Sequence, residues 1–117
     1  MEFNQYNTTV QQWIHTVLEN RETNADVVLE CCRDIIAYGR ETDDPKLIGF
    51  GCFYGGEIYY GLNDGEHFFH MMTEALTYLD RAEEWELVVR CYNYLGIASM
   101  SRGNPSIALD YYMNGLK

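Results

Sequence analysis

Basic residues are scarce in this chain: Lys and Arg number 8 against 18 Asp and Glu in 117 residues, a formal net charge of −10. Nucleic acid and anionic membrane surfaces both need a positive protein face, so this balance argues against either as a partner. Long apolar runs are also missing. No stretch reaches the ~18 residues of a transmembrane helix, and the opening MEFNQYNTTV has neither the basic nor the apolar segment of an export signal. A cytoplasmic location is the expectation. Proline occurs twice and CxxC not at all. Cys31, Cys32, Cys52 and Cys91 match no redox or metal spacing, and a bridge between the two adjacent ones would be strained. They read as reduced thiols packed as small hydrophobes. What is present is an apolar share of 47%, enough for one core in a chain of single-domain length.

Both prolines follow a capping residue, in Asp44-Pro45 and Asn104-Pro105, which is how helices start: an acceptor at the cap, then a ring already set for helical φ. Thr23, with Asp26 three positions on, reads as a third start, and Asp64 as a fourth. Between these marks the apolar residues recur at helical spacing, as in Val28, Leu29, Cys32, Ile35 and Ile36, or Phe68, Met72, Ala75 and Leu79. The pattern predicts an all-α chain with helices at about 5–20, 24–39, 45–61, 65–80, 84–101 and 105–117. The third is contested. KLIGFGCFYGGEIYYGL holds five glycines, each costing a helix about 1 kcal/mol relative to alanine, and read locally it could be a β-hairpin turning at Gly55-Gly56. Aligned on itself with Thr16 over Gly56 and Gly96, the chain also superposes Val28, Phe68 and Ala108, then Cys32, Met72 and Tyr112, then Ile36, Leu76 and Leu116. Gly56 and Gly96 then stand where two helices cross closely, which favours the helix.

The third unit, with Tyr92-Asn93-Tyr94-Leu95-Gly96, then Gly103, Ala108, Tyr112 and Gly115-Leu116, resembles a tetratricopeptide repeat across that span; the first two units follow the pattern loosely. The resemblance implies a right-handed superhelix of about three antiparallel helix pairs, with repeats at about 5–41, 45–81 and 85–117 in one domain. It also implies a non-catalytic module that binds a peptide or protein segment and needs no cofactor. Longer proteins of this look carry such repeats as the sensory or scaffolding part of cytoplasmic bacterial regulators, for example beside a diguanylate cyclase output domain. Carried over, the concave face presents Val10, Trp13, Val17 and Asn20, then Phe50, Phe53, Glu57 and Tyr60, then Arg90, Asn93, Ile97 and Met100. Trp13, Phe50, Phe53 and Tyr60 would be apolar anchors, with Glu57 and Ile97 beside them. Asn93 would bond a peptide backbone and Arg90 would clamp an acidic or C-terminal carboxylate. The competing expectation is that Arg90 pairs with Glu86 or another helix acid.

The sequence stops inside an amphipathic pattern, Asp110 to Lys117, without the polar cap that usually closes a solenoid. The expectation is either an N-terminal piece of a longer protein or a homodimer through the C-terminal helix, with Ile107, Tyr111 and Leu116 uncovered. A structural or dimerisation domain is accordingly the alternative function. A remote alternative is a small metal-binding enzyme. His67 and His70 lie three apart beside Glu66 and Glu74, a spacing metal sites use, but a third firm ligand and HExxH are both lacking. Neither a catalytic residue nor a metal site is predicted. The glycines form neither GxGxxG nor a phosphate-binding loop, and Asp43-Asp44 and Glu83-Glu84 fall at turns where acids stay solvated.

Overall fold

Helices begin where side chains can accept the free amides of a first turn. The computed structural model describes residues 1–115, which form α1 (Thr8–Asn20), α2 (Ala25–Glu41), α3 (Pro45–Gly61), α4 (Gly65–Arg81), α5 (Trp85–Ser101) and α6 (Pro105–Gly115), with no strand among them. Asp44 and Asp64 cap α3 and α4 through the amides of Leu47 and His67, each at 3.2 Å. Three starts differ from expectation: α5 opens at Trp85 rather than residue 84 and without a side-chain cap from Glu84, and α1 and α2 differ through their caps. α1 begins at Thr8 rather than residue 5, because Asn7 Oδ1 accepts the Val10 amide at 2.9 Å. α2 is capped by Asn24 and not Thr23, since it is Asn24 Oδ1 that accepts the Val27 amide.

Ala25, Pro45, Gly65, Trp85 and Pro105 open successive helices at equal intervals, and α2 to α5 are each 17 residues long. One turn joins the helices from α2 to α6, while α1 and α2 are joined by another, in which the Asn20 carbonyl accepts the amides of Thr23 and Asn24. The amides of Asp44, Asp64, Glu84 and Asn104 reach back to the carbonyls of Gly39, Tyr59, Leu79 and Ser99 at 2.8–3.0 Å. Just before them Asp43, Asn63, Glu83 and Gly103 take φ of 54°, 59°, 57° and 76°. Left-handed backbone suits glycine, because any Cβ there crowds the following carbonyl oxygen, and it is tolerated by Asn and Asp, whose short polar groups can bond locally, better than by Glu. Glu83 is the poorest fit, so Glu83→Gly is expected to stabilise the protein by about 1 kcal/mol, read as a higher urea midpoint at unchanged slope; a lower midpoint would reject this account of the turn.

The glycine-rich stretch is a helix because α3 is clasped on both sides. Its pairings with α2 (Gly51 against Cys32 and Ile36, Ile48 against Gly39) and with α4 (Gly49 against Leu79, Gly56 against Met72) run in opposite chain directions, so each pair of helices is antiparallel. A Cβ on Gly51 would lie 2.6 Å from Ile36 Cγ1 and 3.0 Å from the Cys32 carbonyl. What glycine costs in propensity is offset by burying every residue from Leu47 to Gly56. Gly96 meets the Tyr112 ring as Gly56 meets Met72, the same pair one repeat later. Among the described residues no helix is long and apolar enough to cross a membrane. On α6, Ile107, Leu109 and Met113 are exposed while Tyr111 is half-buried near Tyr92; Leu116 lies outside the described residues.

Candidate functional site: the shared face of α1, α3 and α5

Odd-numbered helices meet through one carboxylate. Arg21 at the end of α1 grips Glu57 of α3 with two parallel hydrogen bonds, Nε to Oε1 at 2.8 Å and Nη2 to Oε2 at 2.7 Å. From α5, Arg90 Nη2 donates to Oε2 at 3.2 Å and the Tyr94 hydroxyl donates to it at 2.8 Å. The Glu57 side chain is 12% exposed, against 29% for Arg21 and 33% for Arg90. Each guanidinium also covers an aromatic ring of α3: Arg21 lies 5.1 Å from the centre of Tyr54 and Arg90 4.7 Å from that of Phe53. Burial, then the bond to Glu57, push the Tyr94 phenol well above its ordinary range. Two cations against one anion make this cluster a local positive spot in a chain whose net charge is −10.

The residues expected to line a groove here divide into four sets. Phe50 and Phe53 face the right way but are 1% and 0% exposed. Phe50 packs against Tyr54 and is covered by Phe3 of the leading segment, and Phe53 lies beneath Tyr94 and Arg90, so neither stands open as a ligand anchor: Phe53 is core, and Phe50 is reached only where Phe3 leaves it. Trp13 turns its edge toward Tyr38 of α2 and is half-buried. Glu57 and Arg90 are tied to each other, with Arg90 choosing an acid two helices away and not Glu86. Tyr60, Asn93, Ile97 and Met100 stand exposed, Ile97 at 42% and Met100 at 54%. Tyr60 meets Tyr94 edge-on and Phe68 at a tilt, and borders a cavity of about 400 Å3 that also touches Asp64, Phe69 and Arg102.

Arg21 and Tyr94 are the members that sequence reasoning missed. Tyr94 stands one repeat after Tyr54, a match the internal period could have supplied, whereas nothing local marks Arg21. Elsewhere, His67 Nδ1 meets Asp64 at 2.7 Å and His70 turns to Glu74, so the two imidazoles serve different acids. Among the described residues no three His, Cys, Asp or Glu side chains gather as a metal set. The thiols of Cys52 and Cys91 are pushed up to about 12 by burial, which leaves them protonated and unreactive near neutrality. Comparison of the chain with known protein families, curated proteins and solved structures finds no match.

Proposed function

We propose that this protein is a non-catalytic helical-repeat module that holds an extended peptide or partner segment along the shared face of α1, α3 and α5. The observation that carries the reading is the exposed strip of Tyr60, Asn93, Ile97 and Met100 beside the Arg21–Glu57–Arg90 cluster. Apolar side chains flanking a fixed cationic patch suit a ligand of mixed apolar and acidic character. The ion cluster ties all three helices together, so the strip is presented on a preorganised frame, which lowers the entropy cost of binding. In this reading the internal period builds a tetratricopeptide-like right-handed superhelix with this face concave, serving a cytoplasmic regulator as its sensory or scaffolding part.

A display selection of random peptides on the folded domain tests the proposal. Enriched peptides are expected to pair bulky apolar residues with Asp or Glu, and to lose at least tenfold in affinity on Ile97→Asp while Asp34→Ala on α2 leaves them unchanged. Equal losses for both variants, or no enrichment over Ile97→Asp itself, overturn it. A second reading, a dimerisation domain, is favoured by Ile107, Leu109 and Met113, which are 48%, 59% and 52% exposed on α6.

A further inference from the structure

The shared helix face already has a tenant. Residues 1–6 lie in front of α1 and run across α3 toward α5, and they are held by side-chain chemistry and not merely laid down. The Phe3 ring meets Phe50 edge-on with centres 5.2 Å apart. The Lys46 ammonium sits 4.9 Å above the same Phe3 ring and bonds the carbonyl of Glu2. A turn closed by the Tyr6 amide on the Phe3 carbonyl at 3.2 Å then brings the Tyr6 hydroxyl to Asp44 Oδ2 at 2.8 Å. Asp44 uses its other oxygen to cap α3, so the acceptor is part of the frame. Lys46 is fixed in turn by Glu84, 3.8 Å away at the start of α5.

The fit is nevertheless incomplete. Beneath Met1 and Phe3 a cavity of about 160 Å3 remains against Leu18, Phe50, Tyr54, Leu87, Arg90 and the acid Glu86. Arg90 makes one hydrogen bond among the described residues, to Glu57, leaving most of its donors unused. A well-packed terminal segment would fill such a hollow; this one spans it. Ring on ring, ammonium on ring and carbonyl, hydroxyl on carboxylate: these receptors would serve the same chemistry offered by another chain.

Resting on the binding-module reading above, we propose that segment 1–6 is an internal competitor for the groove, and that the groove's partner is a turn-forming segment of the same kind, an aromatic residue followed three positions later by tyrosine. Binding then requires the tether to leave. A short tether competes at millimolar effective concentration, so the apparent affinity of the partner falls with the fraction of molecules whose groove is open. A partner that also fills the hollow displaces the tether more readily than a copy of the tether does.

The probe is a fluorescein-labelled synthetic peptide, Met-Glu-Phe-Asn-Gln-Tyr, titrated by anisotropy against the full chain. Phe3→Ala frees the tether without touching the groove, and is expected to bind the probe at least tenfold more tightly than the unaltered chain, about 1.4 kcal/mol. Adding Lys46→Ala to that variant, or alanine for the probe's phenylalanine, is expected to abolish the gain. Equal binding by the unaltered chain and Phe3→Ala, or no binding by either, overturns the proposal. Should Phe3→Ala lose its helical circular dichroism, Tyr6→Phe, which removes only the bond to Asp44, replaces it with the same order of affinities expected. The readout depends on Lys46 and Phe3, whereas the peptide selection depends on Ile97, so either idea can fail while the other stands.

Discussion

Glu57→Ala is expected to lower the stability of the fold by about 2–3 kcal/mol, with the urea midpoint as the measurement. Glu57 is the single anion to which Arg21, Arg90 and Tyr94 all donate. Removing one partner from a buried ion pair leaves the others desolvated without compensation and costs about 3–5 kcal/mol. The guanidiniums keep about a third of their exposure, and water screens part of the loss, which places the expectation just below that range. Glu57→Ala combined with Arg90→Ala is expected to be less harmful than the two single losses added together, because the second change removes a charge that the first left unpaired. A single-variant loss below about 0.5 kcal/mol, the scale of an ordinary surface ion pair, would show that the cluster does not hold the three helices together. Hydrogen exchange gives a second view: α1, whose tie to α3 runs through Arg21, should lose protection before α4 does.

Alkaline pH is expected to have an effect of similar size. Burial raises the thiols of Cys52 and Cys91 from their ordinary 9.0 to about 12, and raises that of Cys32 as well. A raised value means that the fold keeps the neutral thiol while the unfolded chain releases its proton. The associated stability is therefore intact below pH 9 and is lost as pH climbs toward 12. At pH 10 each of Cys52 and Cys91 accounts for roughly 1.4 kcal/mol, about 3 kcal/mol together. Tyr94 and Tyr6, whose phenols are also raised by burial and by Glu57 and Asp44 respectively, add a loss of the same sign above pH 10. Urea midpoints taken from pH 7 to 10 with a reductant present should fall steeply past pH 9, and Cys91→Ala should flatten the fall by about a third, Cys32 and Cys52 carrying the rest. An equally steep fall in the variant lacking both Cys52 and Cys91 would place the titrating groups elsewhere.

Helix positions were legible because caps and apolar spacing act within a turn or two of the backbone. Asp44, Asp64 and the two prolines name their helices, and α3 ends at Gly61 as the pattern predicts. Where two acceptors stood side by side, Thr23 and Asn24, local chemistry could not choose, and the geometry of the turn did. The internal period was enough to read Gly56 and Gly96 as close helix crossings, against Met72 and Tyr112. The finer period, from one helix to the next, is hard to see in sequence, since its marker is a positive φ occupied in turn by Asp43, Asn63, Glu83 and Gly103.

The binding face was legible only as a list of positions. Helical spacing puts Phe50, Phe53, Glu57 and Tyr60 on one side of α3, but spacing says nothing of what lies above them. Phe3 covers Phe50, and Arg90 with Tyr94 covers Phe53. The bonds that unite the cluster join residues far apart in the chain. The helices, the Asp44 and Asp64 caps and the glycine crossings thus followed from the letters, because they depend on near neighbours or on a repeat that the letters display. Which aromatics are core, which acid Arg90 takes, and that the first six residues occupy the helix face were decided by tertiary structure alone, because burial and ion pairing depend on side chains that only folding brings within a few ångströms.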